Sequence, residues 1–381
     1  MEFAWSEDQL ALRRSILEFA AAALTEDIVA LDRSGAFSRE QWNKCAEFGI
    51  LGLAVPEEYG GRGHDILTTM MALVALGSGC RDNGLLFALN AQMWAVQAPI
   101  QRFATPAQRE RYLSPMVRGE MIGAHGITEP GSGSDAFAMS STATRRGDGY
   151  VLNGTKTFVS NAPIADVLLV FASTSRARGF MGITAFLIDK GHPGLTIGKP
   201  IEKMGLRTAP YSEVVLDDCV VPVEARLGKE GNGGTIFKHS MGWERSCILA
   251  SNVGAMERQL QACVAYAQER QQFGQPIGKF QQISSMLVEM KLRLETSRLL
   301  LYRAGWCRLQ GEEAVEEVAL AKLHISESFV QSSLAAIQIH GAYGYSTEVG
   351  IERDLRDAIG GRVYSGTSEI QREIIARHMG L

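Results

Sequence analysis

The feature that most constrains this chain is a change of hydrophobic period in its middle. Residues 121–225 carry β-branched runs separated by glycine turns. These are Gly149-Tyr150-Val151-Leu152-Asn153-Gly154, Val167 to Phe171, Ile183 to Ile188 and Val214 to Leu216, with a polar loop from Arg176 to Gly179. On both sides the pattern is helical. Upstream, Ser6-Glu7-Asp8-Gln9, Ser38-Arg39-Glu40-Gln41 and Thr105-Pro106-Ala107-Gln108 are helix-starting boxes, the last with proline at the first helical position. Gly49 and Gly60-Gly61 end segments, and Leu67 to Leu76 and Leu85 to Phe103 read as apolar helices. Downstream, Gly234 to Arg270, Gln281 to Leu309, Glu313 to Ile339 and Val363 to Arg377 read as helical, with a glycine-rich loop from Gly341 to Gly350. The expected organisation is a helical domain at 1–120, a β domain at 121–225 and a second helical domain at 226–381.

One carboxylate in the central helical stretch lacks an obvious structural role. Between Gly234 and Arg270 there is no proline, and Ile236, Trp243, Cys247, Ala250 and Gly254 recur on one stripe. Glu244 sits beside that stripe, and its helical neighbours are Ser240, Met241, Cys247 and Ile248. None of them is basic, so no local ion pair accounts for the charge. Arg245 is equally isolated. A carboxylate on such a face finds a tertiary partner, raises its pKa, or works in chemistry.

Composition removes several function classes. The formal net charge of −4 over 381 residues offers no basic excess for nucleic acid or an anionic membrane. The first ten residues do not read as a secretory signal, and no apolar run is long enough to span a bilayer, so a cytoplasmic protein is expected. The six cysteines are scattered without a Cys-x-x-Cys pair and read as packed, reduced thiols. No cluster has convincing metal spacing; His324 and Glu327, three residues apart, form a lone pair only.

The stretch Ile127-Thr128-Glu129-Pro130-Gly131-Ser132-Gly133-Ser134-Asp135 opens the β region. Its glycines permit a tight loop with exposed N–H groups, and its hydroxyls suit a polar ring edge or a pyrophosphate. It lacks the third glycine of a dinucleotide fingerprint, and no long βαβ unit surrounds it. This loop resembles the flavin loop of the acyl-CoA dehydrogenase family. Four other stretches resemble that family in the right order: Leu152 to Asn161, Glu269-Arg270-Gln271-Gln272-Phe273-Gly274, Gln338-Ile339-His340-Gly341, and Tyr364 to Arg372. The resemblance implies an α+β, mostly α fold with an N-terminal helical domain, a β-barrel-like middle domain and a C-terminal four-helix bundle that tetramerises. It also implies non-covalent FAD. His125, Ile127, Thr128, Gly133, Ser134, Phe158, Ser160, Thr367 and Glu369 are placed toward the flavin and its ribityl chain. Arg270, Phe273, Gln281, Gln338 and Gly341 are placed toward the diphosphate and adenosine, partly across a subunit interface. An arginine fork suits a diphosphate.

The chain departs from the family at one position. Many members carry the catalytic base directly after the tyrosine of the C-terminal signature, where this chain has Ser365. An unactivated hydroxyl does not serve as that base. A minority, similar to the isovaleryl and long-chain enzymes, carries it on the central helix in a Glu-Arg pair, which Glu244-Arg245 matches. The resemblance then implies that Glu244 takes the α proton of a thioester while hydride passes to flavin N5. Of Ser365 only the backbone N–H is expected to act, on the thioester carbonyl, so that Ser365→Ala costs little.

The segments Ser240 to Arg245, Asn161 to Asp166, Lys291 to Glu295 and Ser365 to Ser368 resemble the subgroup acting on prolyl thioesters in pyrrole- and anatoxin-type secondary metabolism. The implied substrate is proline tethered to an acyl or peptidyl carrier protein, with Trp243 shortening the acyl pocket and an electron-transfer flavoprotein or O2 as final acceptor. Two other readings stay open: an acyl-CoA dehydrogenase or oxidase on a short-chain CoA ester, and a catalytically silent flavin-binding homologue.

Overall fold

A computed structural model describes residues 4–381. The N-terminal helices begin where the boxes place them. Ser6 and Thr105 each form both arms of the reciprocal cap, whereas Ser38 makes only the bond from Gln41 N. Gly49 closes the helix Arg39–Phe48 in the left-handed conformation that glycine adopts without steric cost. The two apolar helices extend slightly beyond their expected bounds, as Ile66–Gly79 and Asn83–Gln92, the latter running on through a π turn, Met93–Gln97, to Phe103.

The middle region is an eight-stranded sheet. Its strands are β1 (Gly123–Gly126), β2 (Thr142–Arg146), β3 (Gly149–Ser160), β4 (Val167–Ser173), β5 (Ile183–Asp189), β6 (Leu195–Ile197), β7 (Tyr211–Pro222) and β8 (Arg226–Leu227). The path runs β6-β7-β3-β2-β4-β5-β8, with β1 added parallel to β4. Alternate residues of β4 enter opposite cores. Val167, Leu169 and Phe171 face a cluster shared with helical residues such as Leu113 and Ile236. Leu168, Val170 and Ala172 face Tyr150, Leu152 and Leu216 across the other side. Burial on both faces explains why this strand reads as a continuous apolar run. The loop expected between β4 and β5 is a 3-10 segment, Arg176–Gly182, kinked at Gly179.

The C-terminal helices Gln281–Leu309 and Val315–His340 occupy their expected places. Two expectations are corrected. The central stretch is not one helix: it is Gly233–Cys247 and Ala250–Glu269, broken at Ile248 and Leu249. The second part crosses Ile66–Gly79 so closely that a Cβ on Gly254 would lie 2.1 Å from Val74 O, and one on Gly77 would lie 2.0 Å from Ser251 O. The break needs no proline: the backbone leaves helical values at Leu249, with φ of −89° and ψ of 1°. The last helix starts at Ser368, not Val363, because Gly360 O accepts from Val363 N and Tyr364 N and the left-handed Ser365 and Gly366 form a turn first.

The sheet is tied to the helices by buried polar bonds. Asp357 accepts from Leu206 N at 2.5 Å and from Asn83 Nδ2 at 2.9 Å. Asn161 donates to Ala88 O at 3.0 Å. All six cysteines are buried and unpaired. No helix among the described residues is long and apolar enough to cross a membrane.

Candidate active site

Glu244 lies in the last turn of Gly233–Cys247, just before the break, and is 9% exposed. Among the described residues no cation lies within ion-pair distance of it. Its Oε1 accepts a hydrogen bond from Ser365 Oγ, across 121 residues of sequence. Burial raises its pKa above the usual carboxylate value, and the Ser365 bond, Arg245 and Lys322 act in the opposite direction. A carboxylate shielded from water without an ion pair is a stronger base than one on the surface.

The turn beneath it is held from three directions. Arg245 Nε donates to Ser365 O at 2.9 Å. Lys322 Nζ and Gln371 Nε2 donate to Gly366 O at 2.7 and 2.9 Å. Ser365 has φ of +58°, a conformation that L residues seldom adopt. Its N–H makes no hydrogen bond among the described residues. Sequence reasoning assigns a role only to the backbone of Ser365; in the structure its hydroxyl also donates to Glu244.

Trp243, next to Glu244, stacks on Trp94 with ring centroids 5.7 Å apart, and the Arg308 guanidinium lies 5.1 Å from the Trp243 ring centre. The two indoles leave only a slot of about 10 Å3, also lined by Met93 and Gln97.

A second group of predicted residues gathers at the edge of the sheet. His125 on β1 packs against Phe171 and Phe237 at 5.1 and 6.1 Å between ring centres. Its Nε2 is buried without a partner. Burial and nearby Lys156 hold its pKa down to about 4, so the ring is neutral. Ile127 is buried, Thr128 O accepts Thr157 N at 2.9 Å, and Gly133 and Ser134 are exposed. Phe158 stands 61% exposed at φ of +55°, two residues before Ser160 at the end of β3. A flat apolar face, free loop N–H groups and an orphaned imidazole nitrogen fit a planar ring with polar edges, so these residues suit a flavin.

Sequence reasoning missed what holds this loop. Glu129 Oε1 and Lys156 Nζ lie 2.7 Å apart with side chains 2% and 0% exposed. Glu129 also accepts from Ser140 N and Oγ at 2.6 Å and from Ser141 N at 3.0 Å. A signal was present: Lys156 falls on the inward-facing set of β3 with Tyr150 and Leu152, where an unpaired lysine is too costly.

A third group lies on a separate apolar cluster formed by Cys263, Ala267, Ile277, Ala336 and Ile339. Arg270 caps the end of Ala250–Glu269, Phe273 is 94% exposed at φ of +50°, and Gln281 begins Gln281–Leu309. Exposed Gln338 and Gly341 end Val315–His340. Thr367 caps the last helix through Ile370 N, while Glu369 points to solvent and pairs with Arg372 at 3.5 Å. His324 contacts Ser328, and Glu327 is bound by Arg362 and Ser368.

Comparison with known proteins agrees with this geometry. Family models for the acyl-CoA dehydrogenase N-terminal, middle and C-terminal domains match residues 6–120, 124–219 and 231–380. An L-prolyl-[peptidyl-carrier protein] dehydrogenase of Serratia sp. is 44% identical over 100% of this chain and 99% of its own. The crystal structure of the prolyl acyl carrier protein oxidase AnaB has a TM-score of 0.97 at 49% identity, covering 99% of this chain and all of that one. The structure of PigA with FAD and proline also has a TM-score of 0.97, at 43% identity, with 100% of both chains covered. With this fold and these matches, the chain belongs to the acyl-CoA dehydrogenase family.

Proposed function

We propose that the protein oxidises the Cα–Cβ bond of a prolyl thioester carried on an acyl or peptidyl carrier protein, with Glu244 as the α-proton base. One observation carries the assignment of the base. The helix-borne carboxylate of Glu244 reaches the turn residue Ser365, the position from which most family members present their base. The family's reaction and the prolyl carrier substrates named for its relatives support the substrate.

Glu244 takes the Cα proton, the Cβ hydrogen leaves with its electron pair, and a Cα–Cβ double bond forms. FAD, when bound, supplies the two-electron hydride acceptor for the Cβ–H bond. His125, Thr128, Ser134, Phe158 and Ser160 hold its ring system, and Arg270, Gln281 and Gln338 hold the diphosphate and adenosine end. The free N–H of Ser365 polarises the thioester carbonyl as charge develops on it. The Trp94–Trp243 stack limits the acyl group to a compact ring.

In this reading Arg270, Phe273 and Gln338 act partly across a subunit interface, and a homotetramer accommodates this. Val288, Leu292 and Leu299 on one long helix, with Leu334 and Phe273, are apolar and exposed in the single chain.

Anaerobic flavin bleaching tests the reading. Prolyl-loaded carrier protein bleaches the enzyme and loses two hydrogens, while free proline does nothing. Glu244→Gln keeps its FAD and loses at least about a hundredfold in turnover, the scale of a missing general base. Turnover retained in Glu244→Gln refutes the base; reaction with short acyl-CoA esters but not the prolyl carrier refutes the substrate.

A further inference from the structure

Ser365 occupies a conformation that glycine adopts more easily, yet it is a serine. Its φ of +58° and the following Gly366 at +89° form a tight left-handed turn. Three side chains from three elements pin the carbonyls of that turn: Arg245, Lys322 and Gln371. Backbone strain of this kind persists where the surroundings over-determine it. Held in this way, Cβ directs Oγ onto Glu244 Oε1.

No other hydrogen-bond donor reaches the Glu244 side chain among the described residues. The charged and titratable groups around it are Arg245 on its own helix, Lys322 on Val315–His340, and Tyr364 beside Ser365 in the turn. Each makes a hydrogen bond elsewhere and none to Glu244. Arg245 binds Ser365 O, Lys322 binds Gly366 O, and the Tyr364 hydroxyl accepts from Asn252 Nδ2 at 3.5 Å.

We propose that Ser365 is a positioning residue for the base: its hydroxyl fixes one oxygen of the Glu244 carboxylate and leaves the other free to take a proton. This rests on the assignment of Glu244 as the base. The turn that carries a base in other members carries here the donor that aims one. The hydroxyl also favours the ionised carboxylate, because it donates to the charged form. A buried carboxylate without a cation partner otherwise holds its proton and is useless as a base. The bond from Ser365 counters that tendency without an ion pair that would make the group too weak to act.

Ser365→Ala removes the hydroxyl and keeps the Cβ; Ser365→Gly removes both and relaxes the turn. The FAD-loaded proteins are mixed anaerobically with prolyl-loaded carrier protein, and the bleaching rate is followed against pH. In both variants the acid limb of kcat/KM moves up by about one pH unit, the scale of a lost hydrogen bond to a charge. Below the limb the rate falls about tenfold. A merely structural role lowers the rate at every pH and leaves the limb in place. Limbs that superimpose on that of the unaltered protein overturn the inference.

A second measurement needs no substrate. Infrared titration of the carboxyl stretch, as the difference from Glu244→Gln, reads the ionisation of Glu244 directly. An upward shift in Ser365→Ala supports the inference, whereas turnover retained in Glu244→Gln overturns the base assignment and, with it, the positioning role. An unchanged titration overturns it even if the base assignment stands.

Discussion

Replacing Lys156 by methionine tests the loop support that the strand pattern conceals. Lys156 is fully buried, and its Nζ lies 2.7 Å from Glu129 Oε1 and 3.3 Å from Ile127 O. Methionine fills nearly the same space but leaves the Glu129 charge in the interior. Only the bonds from Ser140 and Ser141 remain to it. Breaking one side of a buried pair costs about 3–5 kcal/mol, a large share of a total stability of about 5–15 kcal/mol. The double variant Lys156→Met/Glu129→Gln removes the stranded charge and regains at least about half of that loss. Urea unfolding of the FAD-loaded protein, followed by circular dichroism and flavin fluorescence, measures both. Because Glu129 lies in the loop proposed to hold the flavin, flavin release is expected to precede the loss of helix in the single variant. Burial alone pushes the Glu129 pKa up, but the bonds from Lys156, Ser140 and Ser141 outweigh it and hold the group below the ordinary range. Its contribution is therefore present at neutral pH and is lost as the pH falls below that range; Lys156→Met flattens this acid limb. A single-variant loss below about 1 kcal/mol, or a double variant no more stable than the single, refutes the reasoning.

Asp357 gives a dependence of the opposite sign. Burial raises its pKa to about 6, with nearby Asp354 adding to the rise and Leu206 N, Asn83 and Arg353 opposing it. The folded state thus binds the extra proton, and stability falls as the pH rises from about 4 to about 6. Asp357→Asn removes that slope in thermal melts taken across the range; a slope unchanged in the variant refutes the assignment. Trp243→Ala deletes the half-buried indole stacked on Trp94 and costs about 1–3 kcal/mol, less than a fully buried core truncation. By opening the slot it raises the bleaching rate with a linear acyl carrier relative to the prolyl one, and an unchanged ratio removes Trp243 from substrate selection.

Several features were legible because they are local. The period change that marks the sheet, the caps at Ser6 and Thr105, and the bounds of Gln281–Leu309 each depend on residues within a few positions of one another. The ordered loops were legible for a related reason: a turn that leaves N–H groups open needs glycines and hydroxyls in fixed sequence. The isolation of Glu244 could also be read, since helical neighbours lie three and four residues away. The short strands β1 and β2 could not, because four or five residues become strands only when β3 and β4 offer them hydrogen bonds. Only the tertiary structure revealed the break after Cys247, which precedes the close crossing with Ile66–Gly79. It alone paired Lys156 with Glu129 and brought the Ser365 hydroxyl to Glu244. Residues 121 apart in the chain carry no mutual pattern; their contact arises when the last turn folds back onto the broken helix, so the isolation of Glu244 was written in the sequence and the setting of its carboxylate was decided by packing.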